Sequence, residues 1–291
     1  MRPRAPKSFE YISLAVPDAQ AAADFYEYHV GLAPVERASD RVTLRCGVEH
    51  HCIELETDSK LDAHEVRALG FSVESEEALA DLESRVAKAG FPVRPVSDRI
   101  KALCTTGFAT TDPNGLDLEL IFEYQEWAEP PMVMLRPLKM VHPFLATPHY
   151  DASVEFYSKV LGFLPSDFIG HQTAFLRCED RYHHSVAVRR ADQVSVDHIA
   201  FLMQTFDHVM RGHARARYKK LNITSGIVNH SASRSIAFYM SEPRFGPPVE
   251  LCDGHLVFSP EQHETHAPRR MAVDPRNIDV WRVAGDDWGL R

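Results

Sequence analysis

An internal repeat is the feature of this sequence that most restricts its fold. The segment DFYEYHVGL, at positions 24–32, reappears as EFYSKVLGF at positions 155–163. The strand-like segments that precede them, EYISLAVPD and VHPFLATPH, correspond at the same offset. Because self-similar segments form similar structural units, we expect the two halves of the chain to be two copies of one structure.

A smaller unit repeats within each half. On the long repeat Tyr11 matches His142, and with one residue of slippage Ala68 matches His198. The separation between the two positions is therefore almost the same in both halves, and is shorter by a single residue in the second. Four similar units fill most of the chain.

Each unit opens with a short apolar strand that is followed by an amphipathic helix. Apolar residues recur at i, i+3 and i+7 from Leu79 to Val86 and from Val154 to Leu161, which is the spacing of one buried helix face. The predicted N-caps and C-terminal stops are Ser75, Asp151, Gly90 and Gly162. Several strand-like runs, broken by Gly, Pro, Asp or Asn, follow each helix. The pattern predicts an α+β fold of four βαβββ modules, paired into two domains.

The length of 291 residues supports two domains of ordinary size. Residues 127–138, WAEPPMVMLRPL, carry three prolines and are predicted to connect the domains. We expect an N-terminal domain at 1–130 and a C-terminal domain at 138–291.

Composition excludes several classes of partner. A net charge of -9 without a local basic patch argues against nucleic acid, whose phosphates would be repelled. No apolar run approaches the roughly 20 residues that span a bilayer, and the N-terminus lacks the apolar segment of a signal peptide. The five cysteines are odd in number and show no CxxC spacing, so they indicate neither a disulfide framework nor a zinc knuckle. We expect a cytoplasmic protein that does not bind membranes.

Three residues in the second half have side chains of the types that bind a metal. His142, His198 and Glu250 each lie in a strand-like segment. Two imidazoles and one carboxylate suit a non-haem Fe(II) ion that keeps neighbouring coordination positions open, and Mn(II) is accepted by the same ligands. Taken singly, His142 fits a strand-end histidine and His198 a buried core histidine. We predict the three together as ligands.

The chain resembles the two-domain type I extradiol ring-cleavage dioxygenases of the vicinal oxygen chelate superfamily, which also contains glyoxalases and bleomycin resistance proteins. The resemblance covers nearly the whole chain. It is carried by the FYxxxLGF helix, by HHS at 183–185, by DHIAF at 197–201, and by the run FYMSEP to VEL at 238–251. It implies that each domain is an open mixed-sheet barrel and that the metal lies in the C-terminal domain alone. Tyr11, Ala68 and Glu119, at the matching N-terminal positions, are not expected to form a site.

The resemblance also implies three catalytic residues. His184 corresponds to the histidine that acts as general acid or base on the oxygen side, with His183 as the adjacent alternative. Tyr239 corresponds to the tyrosine that hydrogen-bonds one catechol oxygen, and His230 to the histidine that hydrogen-bonds the other. The turn before Glu250 is one residue longer than usual, so the position of Tyr239 relative to Glu250 is open.

The implied reaction takes a small-molecule catechol and O2 to a ring-opened product. No arginine lies at a strand position that we can connect to a substrate carboxylate. We therefore expect an uncharged alkyl-, aryl- or bicyclic-substituted diol such as 2,3-dihydroxybiphenyl. Residues 255–291, which include Trp281 and Trp288, are candidates to cap the pocket, although packing of this segment is the simpler expectation. We also expect a homo-oligomer.

Two other functions fit the same superfamily. A metal-dependent lyase or isomerase, similar to a glyoxalase, would use the metal to stabilise an enediolate, but typically takes ligands from both symmetric modules. A sequestering or resistance protein would normally lack the metal and be one domain long. The two histidines, the glutamate, the HHS motif and the tyrosine favour the dioxygenase.

Overall fold

The computed structural model describes residues 3–282. The strands are β1 (Ser8–Val16), β2 (Ala33–Arg37), β3 (Arg41–Arg45), β4 (Ile53–Thr57), β5 (Glu65–Val73), β6 (Arg94–Pro95), β7 (Thr106–Thr111), β8 (Asp117–Phe122), β9 (Pro137–Thr147), β10 (Leu164–Ile169), β11 (Thr173–Arg177), β12 (Val186–Arg190), β13 (Ser195–Met203), β14 (Asn222–Asn229), β15 (Ile236–Ser241), β16 (Val249–Asp253) and β17 (Arg269–Met271). The helices are α1 (Ala19–His29), α2 (Glu76–Lys88), α3 (Asp98–Lys101), α4 (Tyr150–Glu155), α5 (Phe206–Tyr218) and α6 (Pro260–Thr265). A π-helical turn (Phe156–Val160) extends α4, and a 3-10 turn (Pro275–Asn277) follows β17.

The strands form two mixed sheets, one in each half of the chain. The N-terminal sheet has the order β2-β3-β4-β1-β5-β8-β7-β6, and the C-terminal sheet has the order β14-β15-β16-β13-β9-β12-β11-β10-β17. Each half contains two strand-helix-three-strand modules, whose first strands pair antiparallel at the centre of the sheet. The predicted α+β class with four βαβββ modules is confirmed.

The registers of the two central strand pairs match. Tyr11 on β1 lies opposite Gly70 on β5, and His142 on β9 lies opposite Ala200 on β13. Gly70 and Ala200, the residues opposite Tyr11 and His142, therefore occupy equivalent positions in the two halves. The repeat therefore extends from the sequence to the pairing of individual residues.

The strand pairing shows that Ala68 and His198 occupy equivalent positions despite the one-residue change of offset. Ala68 lies opposite Ser13, and His198 lies opposite Phe144, which is the repeat counterpart of Ser13. A β-bulge interrupts the ladder just before His198. The ladder shifts at the same place beside Ala68 in the first half, so the strand pairing is equivalent and the one-residue difference in spacing lies in the chain between the paired strands.

One of the two predicted N-caps is confirmed and the other is wrong. The Ser75 side chain accepts a hydrogen bond from the backbone N–H of Ala78 at the start of α2. Asp151 is not a cap, because α4 begins at Tyr150 and the cap position is His149. The Asp151 carboxylate instead pairs with Arg190 across the surface.

Both predicted stop glycines have a left-handed backbone. Gly90 has φ +83° after α2, and Gly162 has φ +84° after the π-helical turn. A side chain is disfavoured in that conformation, which explains why glycine ends both helices.

The two halves share one hydrophobic core. Its buried members come from both sheets and from the inner faces of the helices, including Leu82 and Val86 of α2 and Tyr157 and Leu161 of the third module. Between the halves, the Lys139 ammonium donates a hydrogen bond to the Ser8 hydroxyl, and within its own half it pairs with Asp180 at 3.0 Å. The predicted domain boundaries at 130 and 138 stay a prediction. Within residues 3–282, no helix combines the length and the apolar character that crossing a bilayer requires.

Candidate metal centre

The three predicted ligands come from three adjacent strands of the C-terminal sheet. Ala200 on β13 lies opposite His142 on β9 and, on its other side, opposite Glu250 on β16. His198 precedes Ala200 by two residues, and residues two apart in a strand share a face. The register therefore directs all three side chains toward one point.

The donor atoms have the separation that one shared ion would require. His142 Nε2 lies 3.4 Å from His198 Nε2 and 3.4 Å from Glu250 Oε2, and His198 Nε2 lies 3.2 Å from Glu250 Oε2. Neighbouring ligands at right angles, each about 2.1 Å from a metal, would stand about 3 Å apart. Two imidazoles and a carboxylate in this arrangement fit a divalent transition metal.

Burial and mutual contact set the charges of these groups in the metal-free chain. Burial lowers the pKa of His142 to about 4. Burial alone would also lower the pKa of His198, but hydrogen bonds to Asp197 and Glu250 raise it to about 9. Burial would raise the pKa of Glu250, but its hydrogen bonds with the two histidines hold that pKa well below the usual range. The carboxylate is therefore ionised and ready to bind a cation.

Asp197 orients His198. The His198 Nδ1–H donates to Asp197 Oδ2 at 3.2 Å, so that Nε2 faces the cluster. Arg189 Nε donates to the other oxygen of Asp197 at 2.9 Å. A carboxylate behind a metal-binding histidine fixes its tautomer and raises its basicity.

His184 reaches the cluster, and His183 supports it from behind. His184 Nε2 lies 3.2 Å from His142 Nε2. The His183 ring is fully buried, with Nδ1 3.1 Å from His184 Nδ1 and Nε2 2.9 Å from Asp167 Oδ2. Of the two adjacent histidines, the geometry places His184 on the cavity side.

Asp167 anchors this pair of histidines. Burial would raise the pKa of Asp167, but hydrogen bonds from Arg269 and His183 hold it well below its usual range. An ionised carboxylate only accepts, so His183 Nε2 carries a proton and donates it to Asp167. His183 Nδ1 then accepts from His184 Nδ1–H, which leaves the lone pair of His184 Nε2 directed at the cluster.

Tyr239 and His230 form a hydrogen-bonded pair on the other side of the cluster. His230 Nδ1 donates to the carbonyl oxygen of Ile278 at 3.0 Å, so Nε2 is an acceptor and receives the Tyr239 hydroxyl at 2.7 Å. His230 Nε2 also lies 3.8 Å from Glu250 Oε1. Despite the longer turn before Glu250, both predicted residues lie beside the ligand cluster.

All six predicted site residues line one cavity of about 370 Å³, whereas His183, the alternative to His184, does not. The apolar part of the lining is formed by Phe144, Ile169, Phe175, Val228, Ala232 and Ile278. Apolar walls with a few converging polar groups are typical of a site for a small organic molecule.

The cavity also contains residues that the sequence analysis did not place there. Arg189 on β12 and Arg282 near the end of the described chain both line it, so an arginine that the sequence did not connect to the site does lie at a strand position beside the cavity. Asn277 and Ile278 also line it, so part of the 255–291 segment reaches the pocket. Trp281 is half-exposed on the surface, and Trp288 lies outside the described residues.

The matching positions of the N-terminal sheet are arranged differently. Tyr11 Oη donates to Glu119 Oε2 at 2.5 Å, and Ala68 offers no ligand atom. The backbone N–H of Ser97 also donates to Glu119. The carboxylate that corresponds to Glu250 is thus held by protein donors.

Two residues beside the candidate site were not identified from the sequence. Asp167 lies on β10, far along the chain from the histidines that it anchors, and no local pattern marks it. His255 lies against His184 and His142, with ring centroids 4.7 and 5.5 Å away. The repeat would have drawn attention to His255, because Tyr124 occupies the matching position of the first half.

Known proteins resemble the chain over most of its length. Biphenyl-2,3-diol 1,2-dioxygenase from Paraburkholderia xenovorans is 25% identical over 259 residues, which is 81% of this chain and 84% of the relative. The Mn(II)-bound glyoxalase from Novosphingobium aromaticivorans is also 25% identical, with a TM-score of 0.84 over 96% of this chain and 91% of its own. The 2,2',3-trihydroxybiphenyl 1,2-dioxygenase from Sphingomonas wittichii shares the fold, with 21% identity and a TM-score of 0.79 over 95% of this chain and 98% of its own.

These relatives confirm the predicted resemblance to two-domain type I extradiol dioxygenases. The profile of one superfamily matches residues 8–120 and again residues 139–251, one match in each half of the chain. This protein therefore belongs to the Glyoxalase/Bleomycin resistance protein/Dioxygenase superfamily, which is the vicinal oxygen chelate superfamily.

Proposed function

We propose that this protein is an extradiol dioxygenase, which opens the ring of a catechol beside the diol and inserts both atoms of O2. The observation that carries the proposal is the convergence of His142, His198 and Glu250 on one point at an apolar cavity. The curated relatives at 25% identity are dioxygenases of biphenyl-2,3-diol. A diol with an aryl, alkyl or bicyclic substituent is the proposed substrate.

His142, His198 and Glu250 would hold Fe(II), with Mn(II) as the alternative that their donor set also accepts. When bound, the ion supplies positive charge that acidifies a catechol hydroxyl and the redox capacity for reaction with O2. Phe144 and Phe175 form the wall against which an aromatic ring packs and from which water is excluded. A cytoplasmic location, where iron stays ferrous, remains the prediction.

Tyr239 and His230 would bind the diol. Burial and the nearby carboxylate of Glu250 hold the pKa of Tyr239 well above its usual value, so its hydroxyl stays protonated and can donate to a catecholate oxygen. When the hydroxyl turns to the substrate, His230 Nε2 is left as an acceptor for the proton of a catechol hydroxyl. The carbonyl of Ile278 keeps His230 in the tautomer that this transfer requires.

His184 would handle the proton on the oxygen side. Burial and the neighbouring histidines hold its pKa well below the usual value, so the ring is neutral at neutral pH and Nε2 can accept a proton. The chain from His184 through His183 to Asp167 stabilises the ring once it is protonated. A neutral base that becomes a protonated acid within one cycle is the requirement of general acid–base catalysis.

The proposal is tested by loading the purified chain with Fe(II) under anaerobic conditions and then mixing it with oxygenated diols. The panel is catechol, 3-methylcatechol, 2,3-dihydroxybiphenyl and 1,2-dihydroxynaphthalene, with 3,4-dihydroxyphenylacetate as the anionic comparison. We expect equimolar consumption of O2 and diol, with the visible absorbance of a ring-opened product. The variant Glu119→Gln, altered at the matching N-terminal position, is the control and should turn over like the parent chain.

A glyoxalase-like lyase or isomerase is the second candidate, and one observation favours it: the structural likeness to the Mn(II)-bound glyoxalase. Enediolate chemistry consumes no oxygen and exchanges a carbon-bound hydrogen with solvent. The two candidates are separated by incubating Mn(II)-loaded protein with a hemithioacetal in D2O and following deuterium incorporation by NMR. Deuterium incorporation together with an inert diol panel would favour this candidate over the dioxygenase.

A further inference from the structure

The repeat relates a second group of three residues in the two halves. Ser13 pairs with Glu54, and its counterpart Phe144 pairs with Ala187. Counting back three residues from each partner reaches His51 in the first half and His184 in the second. Counting five residues on from Glu119 and from Glu250 reaches Tyr124 and His255. Tyr11, His51 and Tyr124 therefore correspond to His142, His184 and His255.

In the N-terminal half both tyrosine hydroxyls of this group are hydrogen-bonded, whereas His51 Nε2 has no hydrogen-bond partner within residues 3–282. The three rings lie together, with centroids 5.5 to 5.7 Å apart. Tyr124 Oη lies 2.9 Å from His51 Nδ1, and Tyr11 Oη donates to Glu119. The phenols supply hydroxyls that form hydrogen bonds to neighbouring side chains.

In the C-terminal half the same three positions carry imidazoles. The ring centroid of His142 lies 4.0 Å from that of His184, and one nitrogen from each of the three rings lies within 4.8 Å of the other two. His255 is 5% exposed, and within residues 3–282 neither of its ring nitrogens has a hydrogen-bond partner. Buried polar atoms in proteins are ordinarily satisfied, so the lone pair of this buried imidazole is available to a ligand.

We propose that His142, His184 and His255 form a second metal site, which binds Zn²⁺ or a similar late divalent ion. Three neutral imidazoles are a donor set of tetrahedral zinc with one position open. Late divalent metals bind nitrogen donors well, whereas this set has no oxygen donor for a hard cation. Burial lowers the pKa of each ring, so all three are neutral at neutral pH.

The two sites share His142 and exclude each other. His142 Nε2 lies 3.2 Å from His184 Nε2 and 3.4 Å from His198 Nε2, and its single lone pair can serve one metal at a time. Zinc at the all-imidazole site would therefore withdraw His142 from the catalytic ion and His184 from proton transfer. This inhibitory consequence rests on the proposed function, but the binding site itself does not.

The site is tested by Zn²⁺ titration of metal-free protein in which His198→Ala and Glu250→Ala remove the catalytic set. Calorimetry should show one bound equivalent, and Co²⁺ should give the visible absorption of a tetrahedral ion. Adding His255→Tyr, the residue type at the matching N-terminal position, should weaken Zn²⁺ affinity by about 100-fold or more. His255→Gln is the second variant, and circular dichroism checks that each protein is folded.

The matched control is His171→Gln, which removes an exposed histidine and should leave the Zn²⁺ isotherm unchanged. Absence of Zn²⁺ binding to the double variant, or binding that survives both substitutions of His255, would overturn the proposal. Because the titration requires no turnover, its result is independent of whether the parent chain cleaves catechols.

Discussion

Glu250 is the residue on which the proposed metal centre depends most. It lies on an apolar strand between Val249 and Leu251, is 2% exposed, and is ionised beside two imidazoles. A buried carboxylate is costly unless it is paired with a cation or hydrogen-bonded. Its counterpart Glu119 is satisfied by Tyr11 and Ser97, whereas Glu250 Oε2 lies 3.4 and 3.2 Å from two imidazoles that can bind a metal together with it.

Removal of one ligand should remove the metal and spare the fold. We expect His198→Ala or Glu250→Ala to retain less than about a tenth of the iron that the parent chain binds, because a two-ligand site loses most of its affinity. Metal analysis of protein purified and loaded under identical conditions measures the loss, and circular dichroism monitors the fold. Full iron content and full activity in either variant would show that the ligand assignment is wrong.

Substitution of His184 should slow the reaction without preventing binding. We expect His184→Phe to bind metal and catechol like the parent chain and to lower kcat by about 100- to 10,000-fold, the usual contribution of a positioned acid or base. Stopped-flow absorbance separates diol binding from the later oxygen steps. Unchanged turnover would transfer the role to His183, and His183→Gln, made in parallel, would then show the larger loss.

Among the elements, the two central strand pairs differ at the position of Tyr11 and His142. Tyr11 lies over Gly70, whereas the smaller His142 lies opposite Ala200. A Cβ added at Gly70 would meet ring atoms of Tyr11 at 2.0 to 2.4 Å. In the N-terminal sheet, Tyr11 stands where the C-terminal sheet has His142, and Gly70 leaves the space that the Tyr11 ring fills. The two residues therefore belong to one packing arrangement.

Gly70→Ala should destabilise the protein by about 1 to 3 kcal/mol, because the Tyr11 ring is fully buried and tied to Glu119. In the double variant Gly70→Ala/Tyr11→His, which copies the C-terminal pair, part of that loss should be recovered. A double-mutant cycle of urea unfolding measures the coupling. Additive effects of the two substitutions would argue against the contact.

Some features of the strands, the helices and the candidate site could be predicted from the sequence, and others could not. The repeat predicts the modules, the shared register and the ligand cluster. Residues at equivalent positions of the repeat lie on the same face of the paired strands in each half. Asp167 and the arginines of the cavity follow from contacts between distant segments, for which the repeat gives no signal. Asp151 shows the limit of local rules, since α4 begins one residue before it, at Tyr150, and the cap position is His149.

At the scale of the whole molecule, buried histidines connect stability to pH. Burial, with the nearby charges of His50 and Arg41, lowers the pKa of His51 to about 3. An unfolded histidine titrates near 6.5, so between pH 6.5 and pH 3 the unfolded chain binds more protons than the folded one. Stability conferred by neutral His51 is therefore complete above pH 6.5 and is lost as the pH falls.

Between pH 7 and pH 5 this histidine should cost the metal-free protein about 2 kcal/mol of unfolding free energy. His51→Gln should flatten the pH dependence by that amount, since glutamine does not titrate. Urea unfolding at both pH values, followed by fluorescence of Trp127, which stacks on His50, measures the difference. Equal losses in the parent chain and the variant would contradict the assignment.

The most direct test of the central claim is to locate the ion. Crystals of Fe(II)-loaded protein, grown with 2,3-dihydroxybiphenyl under anaerobic conditions, would be measured above and below the iron absorption edge. We predict an anomalous peak bounded by His142 Nε2, His198 Nε2 and Glu250 Oε2, with the diol on the side of His230 and Tyr239. A peak at another group of residues, or a diol bound away from the ion, would contradict this prediction.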